Sequence, residues 1–169
     1  MTSVYAVSFA GSITAAAAGE TICELKASTT KAVTLLKALI QPSTNRLRLV
    51  RTSTASAAGT VVTPEAPFDI LMPLTSTMGA ATATWKSFSA VPTAGTVTGM
   101  IALLQAALNT VVTLDFGPIS DRKDVIGSFA TRGIGHTTLA PASTQTIAIL
   151  SDAAMTAQII SGTLWFAEN

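Results

Sequence analysis

The stretch that most constrains the fold is T-A-Q-I-I-S-G-T-L-W-F-A-E-N, from Thr156 to Asn169. Its side chains alternate with a period of two, the signature of a β-strand. Ile159, Trp165 and the small Ser161, Thr163 and Ala167 fall on one face. Ile160, Leu164 and Phe166 fall on the other, with Gly162 between them. A strand that is apolar on both faces needs cover on both, from its own fold and from a neighbour. The rest of the chain is expected to build a β-sandwich that this strand closes.

Period-two alternation recurs along the chain. Val4 to Ile13 sets Tyr5, Val7 and Phe9 against Val4, Ala6 and Ser8, with Gly11 permitting a bend. Thr14 to Gly19 reads as a loop, because an Ala run this short is a marginal helix. Glu20 to Ala27 sets Cys23 and Leu25 against Ile22, Glu24 and Lys26, a strand with one wet face. Ala32 to Ile40 also fits a helix, but its β-branched residues and the Gln41-Pro42-Ser43 stop favour a strand. Asn45 to Thr52 puts Arg46 and Arg48 on one face and Leu47 and Leu49 on the other.

Ser53 to Pro67 has no apolar period and reads as a long loop. Phe68 to Leu74, with Pro67 and Pro73 near its ends, is a short edge-like segment, Ser76 to Ala81 a turn, and Ala83 to Ala90 a strand. Val91 to Gly99 reads as a polar loop. Val97, Ile101, Leu104 and Leu108 recur at helical spacing, so Thr96 to Leu108 is the best helix candidate; the alternative is a buried strand from Met100 to Leu104. Asn109 to Phe116 is a strand stopped by Gly117-Pro118. Asp124 to Thr131 is a further strand candidate, and Gln145 to Leu150 is a strand. About eight to ten short strands separated by Gly, Pro, Ser and Thr turns give an all-β fold over one domain, 1–169. A β-sandwich of jelly-roll type, with long loops and at most one short helix, fits best.

Only 11% of the residues are charged, against roughly 25% in ordinary soluble domains. Ala, Thr, Ser and Val fill the gap. A surface so poor in charge suits a protein that lies against other protein. The net charge of +1 leaves no electrostatic footprint for nucleic acid or an anionic membrane. The N-terminus lacks the basic region of a signal peptide. The longest nearly apolar run, Met100 to Leu108, is too short to span a bilayer. The single Cys23 reads as a small buried hydrophobe.

No catalytic signature is present. The only histidine, His136 in G-I-G-H-T-T, has no accompanying nucleophile motif and reads as a loop residue. One His and one Cys far apart make no metal site, and Asp121 and Asp124 are too sparse for calcium. Arg132-Gly133-Ile134-Gly135 lacks the spacing of a phosphate loop. Ser120 to Lys123, the one dense charge cluster, reads as an exposed turn. The expectation is a non-enzymatic protein without cofactor or metal.

Four segments carry a resemblance. They are Y-A-V-S-F-A-G-S-I-T-A-A at Tyr5 to Ala16, K-A-V-T-L-L-K-A at Lys31 to Ala38, L-R-L-V-R-T at Leu47 to Thr52, and I-I-S-G-T-L-W-F-A-E at Ile159 to Glu168. Together they resemble jelly-roll-like structural proteins of tailed bacteriophage virions; Pro73 to Leu108 matches nothing in that pattern. The resemblance implies a virion component, of capsid decoration or cement type, assembled in the host cytoplasm. Its partners would be itself, as a homo-oligomer with a trimer favoured, and the major capsid protein. Cement proteins grip a lattice with loops or terminal arms. The expected contacts are therefore Met1, Thr2, Ser3 and Val4 at the N-terminus and Ala57, Thr60, Val61 and Val62 in the long loop. The alternatives are a tail or baseplate component that binds carbohydrate and a cupin-like enzyme. The scarcity of aromatics argues against the first, and the single histidine against the second.

Overall fold

The computed structural model describes residues 3–15, 17–27, 29–41, 46–55, 60–62, 82–85, 96–104, 111–116 and 137–168. These form eleven strands: β1 Ser3–Ala15, β2 Thr21–Lys26, β3 Val33–Gln41, β4 Leu47–Thr52, β5 Thr60–Val62, β6 Thr82–Trp85, β7 Val97–Leu104, β8 Val112–Asp115, β9 Thr138–Leu139, β10 Thr146–Ser151 and β11 Met155–Glu168. They make two antiparallel sheets. One runs β1-β11-β3-β8, with β9 also on β3; the other runs β5-β6-β2-β10-β4-β7.

The pairing has a simple logic. The first four strands pair with later ones in reverse order: β1 with β11, β2 with β10, β3 with β8 and β4 with β7. The chain is thus a long two-stranded ribbon rolled up so that successive pairs alternate between sheets. This is the double Greek key of a jelly roll, and it confirms the expected fold class. The β5-β6 hairpin extends the second sheet beyond β2.

One apolar core joins the two sheets. The first sheet supplies Tyr5, Val7, Phe9, Ile13, Leu35, Ile40, Ile160, Leu164 and Phe166; the second supplies Cys23, Leu25, Leu47, Leu49, Ile147 and Ile149. Each fully buried side chain of this size contributes roughly 1.5–3 kcal/mol against the cost of ordering it. The register partners Tyr5 and Phe166 bring their ring centroids to 5.6 Å.

The closing strand β11 lies between β1 and β3, so both its edges are hydrogen-bonded. Gly162 is its one inward position without a side chain. A Cβ there would come within 2.7 Å of the Leu39 carbonyl oxygen and 2.8 Å of the Phe9 ring. The ring of Phe9, its register partner, occupies the space the glycine leaves. At the far end, Thr156 and Ala157 together oppose Thr14, a β-bulge. Ala157 takes a left-handed φ of 49°, and its N–H donates to Thr14 Oγ1 at 3.1 Å.

Three expectations need correction. The described part of the Thr96 to Leu108 helix candidate is a strand: β7, Val97–Leu104, contains the alternative strand Met100 to Leu104, is half-exposed where that alternative was buried, and removes Val97 to Gly99 from the expected loop. The expected loop Ser53 to Pro67 contains strand β5. Strand β2 has no wet face over its central residues, because Ile22 and Glu24 are both buried. The register shifts between Ile149 and Leu150, placing Ile22 in a bulge opposite β10. The segments Phe68 to Leu74, Ser76 to Ala81 and Asp124 to Thr131 lie outside the described residues, as do Lys86 to Ala90 of the expected strand at Ala83 to Ala90.

Candidate assembly surfaces

The outward side of the first sheet is nearly free of charge. Register places its outward residues in rows across β1, β11, β3 and β8. One row is Ala6, Trp165, Lys37 and Asp115; the next is Ser8, Thr163, Leu39 and Thr113; Ala10, Ser161 and Gln41 follow. Lys37 and Asp115 are the only charged residues of these rows, and they are opposite in sign. The Lys37 ammonium lies 5.6 Å from the Trp165 ring centroid, a cation–π contact. Ser8 and Thr163, register partners, share a hydrogen bond of 3.0 Å, and Ser161 Oγ donates to Gln41 Oε1 at 3.4 Å. Beyond Ser161 on the same face, Ile159 is 73% exposed.

The opposite edge of the second sheet is a second neutral surface. Strand β7, V-T-G-M-I-A-L-L, carries no charge and no proline, and among the described residues it pairs only with β4. Its Val97, Met100 and Leu103 are exposed. They stand opposite Thr52, Val50 and Arg48 respectively. Two register shifts bulge the strand and turn its edge. The centre of this sheet's outward face is different: Val50, Ala148 and Leu150 form a small cluster of their own and are buried.

The charged residues near these surfaces are largely committed to one another. Arg46 Nε lies 3.0 Å from one oxygen of Asp152, and Arg48 Nε 3.2 Å from the other. The second contact is an ion pair set off the line of a hydrogen bond. The Arg46/Arg48 face is therefore balanced by a carboxylate from the β10–β11 turn. Arg51 donates to Gln145 Oε1 at 2.7 Å, and partial burial lowers its pKa. At the end of β11, the buried Glu168 accepts from Lys31 at 3.3 Å.

The expected contact residues are not gathered into one place. Ser3 and Val4 belong to β1, where they pair with Glu168 and Ala167, so they are part of the sheet and not a free arm. Thr60, Val61 and Val62 pair with Trp85, Thr84 and Ala83 on the outermost strand of the second sheet. Met1, Thr2 and Ala57 lie outside the described residues. The residues expected as contacts lie at the N-terminus and in the long loop, although the closing stretch was already expected to need cover from a neighbour on its second face. The signal was the apolar character of both faces of the closing stretch.

Cys23 is buried among Leu25 and Ile149 in the core. Burial first, and the neighbouring Glu24 charge second, push its thiol up to about 12, so at neutral pH it is a packing residue. Among the described residues no group of His, Cys, Asp and Glu could hold a metal ion. His136, Ser120 to Lys123, Asp121, Asp124 and Arg132 to Gly135 lie outside them. No described helix is long and apolar enough to cross a membrane. Comparison with family models, with characterised proteins and with solved structures returns no match.

Proposed function

We propose that this chain is a non-enzymatic structural protein of a tailed-phage virion, a decoration or cement protein that self-associates and binds the major capsid protein lattice. The observation that carries the reading is the pair of separate neutral surfaces. One is the outward rows of the first sheet, with Lys37 and Asp115 their only charges; the other is the uncharged β7 with Val97, Met100 and Leu103 exposed. A protein that stays free in solution usually places Lys and Glu on such faces and edges. A cement protein needs two surfaces, one for its own copies and one for the lattice. The jelly-roll connectivity and the sequence resemblance support the same role. Its action is mass action: buried area on the assembled shell favours the assembled state, with no bond made or broken.

A tail or baseplate β-sandwich that binds carbohydrate is the second reading. It is favoured by one observation, the part-exposed Trp165 among hydroxyl-bearing neighbours. Against it, Lys37 already lies over the ring that a sugar would stack on.

The test is co-sedimentation of the purified chain with undecorated shells of the major capsid protein encoded in the same genome. The expected result is saturable binding and a higher melting temperature of the shell. A chain that stays in the supernatant at all shell concentrations, but binds on a glycan array, reverses the order of the two readings.

A further inference from the structure

Two neutral surfaces leave open which one meets a second copy. We infer that copies of this chain pair face to face, by a twofold axis, through the outward side of the β1-β11-β3-β8 sheet. The inference deepens the assembly reading by naming the partner of that face.

The middle strand, β11, carries a self-complementary pattern. Its outward residues are Ile159, Ser161, Thr163 and Trp165, and Gly162 is their midpoint. A twofold axis lying across the strands at Gly162 sets residue 161 over residue 163 of the partner, and 159 over 165. Hydroxyl then meets hydroxyl at the centre, and Ile159 meets the Trp165 ring and the Lys37 stem beside it. The pattern is thus chemically self-complementary, which an isologous contact requires. The flanking rows agree. Row 161 holds Ala10 and Gln41, row 163 holds Ser8 and Leu39, and exchanging them brings no like charges together. Lys37 and Asp115 stand opposite each other in one row, and the axis does not bring either onto its own copy.

Shape and area also fit. The central positions are Ala, Ser and Thr, which let two sheets approach closely. Four strands at about 4.8 Å spacing and about 30 Å of strand give about 600 Å² per copy. The pair would bury about 1,200 Å², the lower bound of specific interfaces. The other sheet offers no equivalent face, since its centre is already buried at Val50, Ala148 and Leu150. That leaves the β7 edge for a different partner.

The experiment is light scattering and sedimentation equilibrium on the full chain, with melting measured in parallel. The wild type should give a dimer, twice 17.3 kDa. Ser161→Lys and Thr163→Glu should each weaken the dimer at least about tenfold, because each buries an unpaired charge. Both changes in one chain should restore it, since the axis sets each new charge opposite its complement. Ala10→Lys, at an exposed position of the same face, repeats the disruption should either of the other variants melt early. A wild-type monomer, a trimer, single variants that remain dimeric, or a double variant that remains monomeric would each overturn the inference. Shell binding is scored separately. A monomer that decorates shells sinks this pairing and leaves the virion role standing; a dimer that ignores shells does the opposite.

Discussion

Gly162→Ala is the sharpest test of how the first sheet is packed. Glycine inside a strand normally costs roughly 0.5–1 kcal/mol relative to alanine, so on propensity alone the substitution should stabilise. Packing argues the other way. The added methyl would lie 2.7 Å from the Leu39 carbonyl oxygen and 2.8 Å from the Phe9 ring. Real Cβ atoms do not sit so close, so something must shift. The carbonyl belongs to the ladder between β11 and β3 and moves only with the backbone. The ring is buried beside its neighbours in the core. Overpacking of this kind costs about 1–3 kcal/mol. The net expectation is a loss of about 1–2 kcal/mol, read as a fall of roughly 2–8 °C in Tm for a chain of this size. Urea titration followed by tryptophan fluorescence would measure it. A cycle with Phe9→Leu divides the cost. If the ring carries part of the clash, Gly162→Ala is less damaging in the Phe9→Leu background, and the remainder belongs to the Leu39 carbonyl. A Gly162→Ala variant as stable as the wild type would refute the reasoning.

Three further outcomes are expected. Cys23 should resist thiol reagents in the native state and should make the fold sensitive to alkali. Its folded pKa of about 12 stands above the ordinary 9.0, so its contribution is intact below pH 9 and is lost as pH rises towards 12. By pH 10 the loss is about 1 kcal/mol, and Cys23→Ala should abolish that part of the pH dependence in urea titrations. Trp165→Ala should leave the fold intact, at less than the roughly 3–5 kcal/mol of a core tryptophan, because Trp165 faces outward. It should weaken self-association in sedimentation, and a full core cost without change in association would contradict the placement. Ala142 sits at the third position of a turn closed by Ser143 N–H donating to Ala140 C=O at 3.2 Å, with Pro141 before it and φ of 55°. That is a type II turn, which prefers glycine there. Ala142→Gly should raise stability by about 0.5 kcal/mol in thermal unfolding, the relief of strain outweighing the entropy of glycine.

The strands that alternate cleanly were legible in the sequence, because their residues obey a single period from end to end. The closing stretch even announced its central place through its two apolar faces. Strand β7 was legible only in part, as the alternative strand from Met100 to Leu104, for a physical reason. Its bulges place Val97, Met100 and Leu103 opposite Thr52, Val50 and Arg48, so outward residues recur every three positions on β7 and every two on β4. The residues that suggested a helix do not share a face: Val97 is exposed, Ile101 is the extra residue of a bulge packed against the core, and Leu104 is buried. The wet face expected for β2 failed because Glu24 is a buried carboxylate, which no local pattern reveals. The face proposed for assembly was half legible. The scarcity of charge was plain, but the rows that place Ala, Ser and Thr side by side exist only once β1, β11, β3 and β8 have paired.

The central place of β11 also dictates when the fold can close. Its neighbours β1 and β3 lie more than a hundred residues earlier in the chain, and neither pairs with the other among the described residues. Until residue 168 has been synthesised, the first sheet is split into two pieces with a strand-wide gap. The apolar faces of Tyr5, Val7 and Phe9 then wait without their partners Phe166, Leu164 and Gly162. Pairings so distant in sequence form slowly and leave edges exposed meanwhile. For such a chain the exposed interval is the part of translation before the last strand arrives, when the edges of β1 and β3 stand open.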